Sequence, residues 1–143
     1  MSDIGVKFSY ALNKKGGQPD ASDCILDASL PARNVIYLRK KYNCNIYYHR
    51  SESSKMPWWG FSPKQINQLK QQKNGFVVVF LLSPEEGHIV IDKDIDEFSR
   101  ELSIDKKGNY KVNERDLRST IASLFRSVDD FFVRLSRYQI EEL

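Results

Sequence analysis

The chain has 143 residues, 41% apolar and 12% aromatic, which is enough to bury one core without disulfides or metals. Its 22 basic and 19 acidic side chains leave a formal charge of +3, a mild balance that permits a local basic patch. The longest apolar run, Phe76 to Leu82, is far too short to span a bilayer, and the first residues lack the charged-then-apolar pattern of a signal peptide. The reading is a single cytoplasmic domain over residues 1–143 with no membrane partner.

In chain order, Val6, Phe8 and Tyr10 alternate with Lys7 and Ser9, which predicts a strand over residues 6–12. The polar stretch 13–20, with Gly16, Gly17 and Pro19, reads as a loop. Short strands are expected at Cys24-Ile-Leu26, at Val35-Ile-Tyr-Leu38 and at Ile46-Tyr-Tyr-His49. Asn43 and Asn45 suit a turn that makes the last two a hairpin. Neighbours on a strand point to opposite faces, so one of Tyr47 and Tyr48 can serve the core while the other stays at the surface.

Residues 51–57 read as a loop leading into Trp58-Trp59-Gly60-Phe61. Ser62-Pro63-Lys64-Gln65 is a helix start: a serine N-cap, a proline whose missing N–H costs nothing in the first turn, and a glutamine placed for a capping box. That helix should run over 63–72 with Ile66 and Leu69 inward and Lys64, Lys70 and Lys73 outward. Phe76–Leu82 is apolar on both faces and reads as a central, covered strand. A five-residue turn, Ser83–Gly87, returns it to an antiparallel partner at His88–Ile91.

Ile95, Phe98 and Leu102 have helical spacing within 94–102. A turn at 106–109 and an edge strand at Tyr110–Val112 follow. Asn113 then caps a long C-terminal helix near 114–137, with Leu117, Ile121, Leu124, Val128, Phe132 and Leu135 as its apolar stripe. The fold class is α+β: a mixed, mostly antiparallel sheet with a central strand near 76–82, a short helix near 63–72 and the long C-terminal helix.

Catalytic patterns are incomplete. A nuclease of the PD-(D/E)XK-like kind places an acid on one strand and an acid-x-lysine triplet on the next, to hold a metal and activate water. Asp23 and Asp27 suit the first acid, but neither following strand supplies a carboxylate two positions before a lysine. Asp92, Asp94, Asp96 and Glu97 lack the glycine and glutamate of a calcium loop. Cys24, Cys44, His49 and His88 lack zinc-ligand spacing, and no nucleophile elbow or phosphate loop occurs. No catalytic residue, metal or cofactor is assigned.

What remains is a basic and aromatic cluster. Arg33, Arg39, Lys40, Lys41, Arg50, Lys55 and Lys64 are opposed only by Glu52, and Tyr37, Tyr42, Tyr47, Tyr48, Trp58, Trp59 and Phe61 are interleaved with them. Cations hold phosphates and flat rings stack on unpaired bases. The adjacent indoles can both be core residues that staple the following helix, or one can pack there while the other faces a ligand.

A strand ending in basic residues, then Met56-Pro57-Trp58-Trp59-Gly60-Phe61, then Gly75-Phe-Val-Val-Val-Phe-Leu-Leu82, a turn and His88-Ile-Val-Ile91, resembles the N-terminal DNA-recognition domains of McrB-type modification-dependent restriction proteins. The resemblance covers residues 46–91. It implies a non-catalytic DNA reader of a bacterial restriction or defence system, binding duplex DNA and capturing a flipped or modified base in an aromatic pocket. The expected contacts are Arg39, Lys40, Lys41, Tyr47, Tyr48, His49, Arg50, Lys55, Trp58, Trp59 and Lys64. Two alternatives stand beside it. One is a metal-dependent nuclease using Asp23 or Asp27. The other is an assembly domain whose Phe125, Phe131 and Tyr138 face a partner, either a second copy or a larger effector chain.

Overall fold

The computed structural model describes residues 7–8, 11–12, 24–26, 35–38, 44–51, 55–72, 75–118 and 121–141, with the backbone alone at 24–26, 36–38 and 137–141. Among the described residues nine strands form two sheets. The larger has six strands in the order β1 (Cys24–Leu26), β2 (Val35–Leu38), β3 (Cys44–Arg50), β5 (Gly75–Ser83), β6 (Glu86–Ile91) and β9 (Ser123–Phe125). Among the described residues of this sheet only β3 and β5 are parallel, and the other pairings are antiparallel. A parallel pair needs a crossover. Here it carries β4 (Trp58–Phe61) and helix α1 (Pro63–Lys70). β4 belongs to the smaller sheet, ordered β4, β8 (Tyr110–Asn113) and β7 (Ser103–Ile104). The α+β class and the central, covered strand stand as the residue pattern predicts.

Strand periodicity builds two cores from one sheet. Val77, Val79 and Leu81 of β5 point to one face, where they meet Ile46, Tyr48, Ile89, Phe125, Phe131 and Leu135. Phe76, Val78 and Phe80 point to the other and meet Tyr47, Trp59, Phe61, Ile66, Leu69, Phe98 and Val112. The first face is covered by Phe8, Leu12 and helix α3 (Val128–Glu141). The second is covered by the small sheet, α1 and helix α2 (Ile95–Ser99). Adjacent Tyr47 and Tyr48 therefore enter different cores, at 1% and 8% exposure, and neither remains at the surface as expected.

The start of α1 follows its sequence signal. Ser62 Oγ accepts from the Gln65 N–H at 3.3 Å, and Ile66 and Leu69 are buried. The Ser62 N–H donates to Tyr47 Oη at 3.2 Å, which ties the helix cap to the large sheet. The β5–β6 turn is shorter than the expected five residues, because the strands continue to Ser83 and from Glu86. A bulge lies between Leu81 and Ser83. A Cβ at Gly87 would stand 2.3 Å from the Phe80 carbonyl oxygen, so this close pairing requires glycine.

Three further expectations fail. Lys7, Phe8, Ala11 and Leu12 are helical, not a strand; Phe8 and Leu12, four residues apart, both face the core. β8 is the middle strand of its sheet, not an edge. The single long helix near 114–137 is absent: Glu114–Arg118 is a 3-10 turn, β9 follows, and α3 begins only at Val128. β9 pairs with β6 and satisfies an otherwise open sheet edge. Leu117 lies in the second core and Phe125, Val128 and Phe131 in the first, so the chain rounds the sheet edge, which one straight helix cannot do. Asn113 ends β8, and its N–H donates to Asp116 Oδ2 at 2.8 Å. The helix cap is Ser127, whose Oγ accepts from the Asp130 N–H at 3.0 Å.

Candidate nucleic-acid interface

The two indoles are separated by strand alternation. β4 pairs antiparallel with β8, Trp58 opposite Asn113 and Trp59 opposite Val112. Trp59 and Phe61 turn inward and are sealed. The Trp59 Nε1–H donates to the Leu81 carbonyl at 3.0 Å, beside the β5 bulge, so its one polar atom is satisfied inside the core. Trp58 turns outward and is half-buried, its backbone N–H donating to Ser51 Oγ at 3.2 Å. Lys111, opposite Gly60 and diagonal to Trp58, lays its ammonium over the indole 5.0 Å from the ring centroid.

Trp58 and Lys111 form one part of a groove of about 750 Å³ whose lining also includes Lys55, Arg115 and Arg118. Among the described lining residues, four cations thus stand with one carboxylate, Glu114. Arg115 and Arg118 lie on the 3-10 turn after β8, are exposed, and form no ion pair with a described residue. They also line a second cavity of about 500 Å³ floored by Phe98, Leu102 and Ile121, whose charged lining is mixed. The turn is a ridge shared by the two hollows: Arg115 and Arg118 are exposed and line each.

The expected contact residues separate accordingly. Lys55 and Trp58 are in the groove. Arg50 ends β3 and Lys64 opens α1; both are exposed and lie outside the groove lining. Tyr47, Tyr48 and Trp59 are buried, which withdraws their rings from ligands. Arg39, Lys40, Lys41, Asp23, Asp27 and the Tyr138 side chain lie outside the described residues. Phe125 and Phe131, expected to face a partner, are core residues with no exposure. Lys111, Arg115 and Arg118 were not anticipated as a site. Their own signal was a run of basic residues on both sides of Asn113, obscured by the helical reading of 114–137.

His49 is enclosed beside this layer. The register sets His49, Phe80 and His88 side by side on the second face of the large sheet. The imidazole of His49 packs edge-on against Tyr47 at 4.2 Å, and its Nε2 is buried without a hydrogen-bond partner. Some of the residue's surface is still open, but the ring nitrogen is sealed, and burial pushes its pKa down to about 3. Burial also lowers the pKa of His88, against the opposing pull of Glu114 and Glu86. Both rings are neutral near pH 7, so His49 has no charge to offer a phosphate.

Among the described residues, no group of three or more His, Cys, Asp or Glu is placed to hold a metal ion, and no helix is long and apolar enough to cross a membrane. Asp92 bonds the Phe76 and Lys93 N–H groups, and Asp96 pairs with Lys70 at 2.6 Å. Cys44 is buried. No protein-family model, curated protein or solved structure matches this chain.

Proposed function

We propose that this chain is a nucleic-acid-binding module whose contact surface is the groove beside Trp58. The observation that carries the reading is one half-buried indole set among Lys55, Lys111, Arg115 and Arg118, with Glu114 the one carboxylate among the described lining residues. Cations held together on one surface gain affinity for a polyanion by releasing its counterions, and an indole adds a flat face for a base. The resemblance to McrB-type restriction proteins supplies the rest of the proposal: DNA as the polymer and a bacterial defence system as the setting.

The test is a mobility-shift titration of the whole chain against plain duplex, methylated duplex and single-stranded DNA at two salt concentrations. Binding should weaken steeply as salt rises. Replacing Arg115 or Arg118 with alanine should lower the slope of log affinity against log salt by about 1. No binding to any nucleic acid at low salt would sink the reading.

A further inference from the structure

The shape of the groove restricts which form of nucleic acid it can hold. Duplex DNA is read by an element that protrudes into its major groove, and its base faces are hidden in the stack. Here the arrangement is inverted: the ring and the cations line a hollow of about 750 Å³. That volume is in the range of sites that enclose a small ligand, roughly 300–1,000 Å³. Beyond the ridge of Arg115 and Arg118 lies the second hollow of about 500 Å³, with an apolar floor of Phe98, Leu102 and Ile121.

We infer that the Trp58 groove and its neighbour form a track for an unpaired strand, a base lying against Trp58 and the next phosphate crossing the Arg115–Arg118 ridge. This rests on the nucleic-acid reading above and narrows it from duplex to single-stranded polymer. Lys111 makes the exchange possible. Its flexible stem leaves the indole when a base takes the ring, and the ammonium moves from a ring contact to an ion pair with the adjoining phosphate. The acids Glu97, Glu101 and Asp116 line only the second hollow, so phosphate belongs at the ridge and in the first hollow, with a base over the apolar floor of the second.

The two tryptophans provide the readout. Trp59 is sealed and hydrogen-bonded inside the core, whereas Trp58 opens on the groove. The intact chain is titrated at low salt with a short oligothymidylate, an oligouridylate, a blunt-ended duplex of equal length and thymidine monophosphate, following tryptophan fluorescence. At least one of the two single strands should bind about tenfold or more tightly than the duplex and the mononucleotide, and quench the emission. The quench should vanish in Trp58→Phe, which keeps an aromatic ring and reports only Trp59, while Lys93→Ala, outside the groove, should bind as the parent does. Equal or tighter binding of the duplex, mononucleotide binding as tight as the strand's, or a quench that persists in Trp58→Phe would overturn the single-strand inference while leaving the nucleic-acid reading intact. Absence of binding to all four would remove both.

Discussion

The two faces of the large sheet are covered by different means, and the candidate site belongs to only one of them. On the first face, the 14-residue helix α3 and the N-terminal helical residues close over a cluster of rings. Phe8, Phe125 and Phe131 there pack with centroids 5.1–6.2 Å apart. On the second face the cover is assembled from a three-stranded sheet, helices of eight and five residues and a 3-10 turn. Short elements have many ends, their polar termini need solvent or a side chain, and they meet imperfectly. The groove lies at such a junction, between β4, β8 and the turn at Glu114–Arg118, and the second cavity lies between α2 with the residues after it and the same turn. A continuous helix seals a face; a mosaic leaves openings where a side chain can be held by strand pairing yet reach solvent, as Trp58 is.

The comparison is sharpest at the adjacent indoles, which share a strand but not an environment. Trp59→Ala removes the largest sealed side chain of the second face and the indole N–H that bonds the Leu81 carbonyl. It should cost about 3–5 kcal/mol in urea unfolding. A loss near zero would mean that the second face is not a true core.

A smaller effect should come from acid. His49 has an ordinary pKa of 6.5 and a folded value of about 3, so in the window between them only the unfolded chain takes up the proton. Stability is therefore complete above the unfolded value and falls with acidification, by about 2 kcal/mol at about pH 5 relative to neutrality. His88, also lowered, acts in the same direction. Denaturant midpoints measured across that range should fall toward acid for the parent and fall less for His49→Phe. Equal acid sensitivity in the two proteins would place the titrating group elsewhere.

The smallest effect on folding belongs to the outer indole. Trp58→Ala should change stability by about 0.5 kcal/mol or less, since the ring is half open and its backbone bond to Ser51 is retained. The same protein should bind single-stranded DNA more weakly than the parent. Destabilisation as large as that of Trp59→Ala would make Trp58 a core residue and remove the basis for a site there.

The parts of the fold legible in the chain were those with local causes. The Ser62–Gln65 cap, the inward Ile66 and Leu69, the doubly apolar strand at Phe76 and the helical spacing of Ile95 and Phe98 each depend on neighbours a few residues away. The candidate site was half legible. Lys55 and Trp58 stood in the recognised cluster, while Lys111, Arg115 and Arg118 lay fifty residues further on in a segment whose stripe mimicked a helix. Ser127 with Asp130 carries the true helix start, masked in the sequence by an apolar spacing that runs through it.

Composition and periodicity by themselves determined an α+β chain with a covered central strand, because burial of alternating or every-third-residue apolar side chains is a local geometric demand. Only the tertiary structure decided that β3 and β5 lie parallel, that the chain rounds the sheet edge through β9, and that one indole of an adjacent pair is sealed while the other opens on three cations from β8 and its following turn. Those outcomes depend on which distant backbone edges and faces find each other, and hydrogen-bond pairing between strands leaves no periodic trace in the sequence.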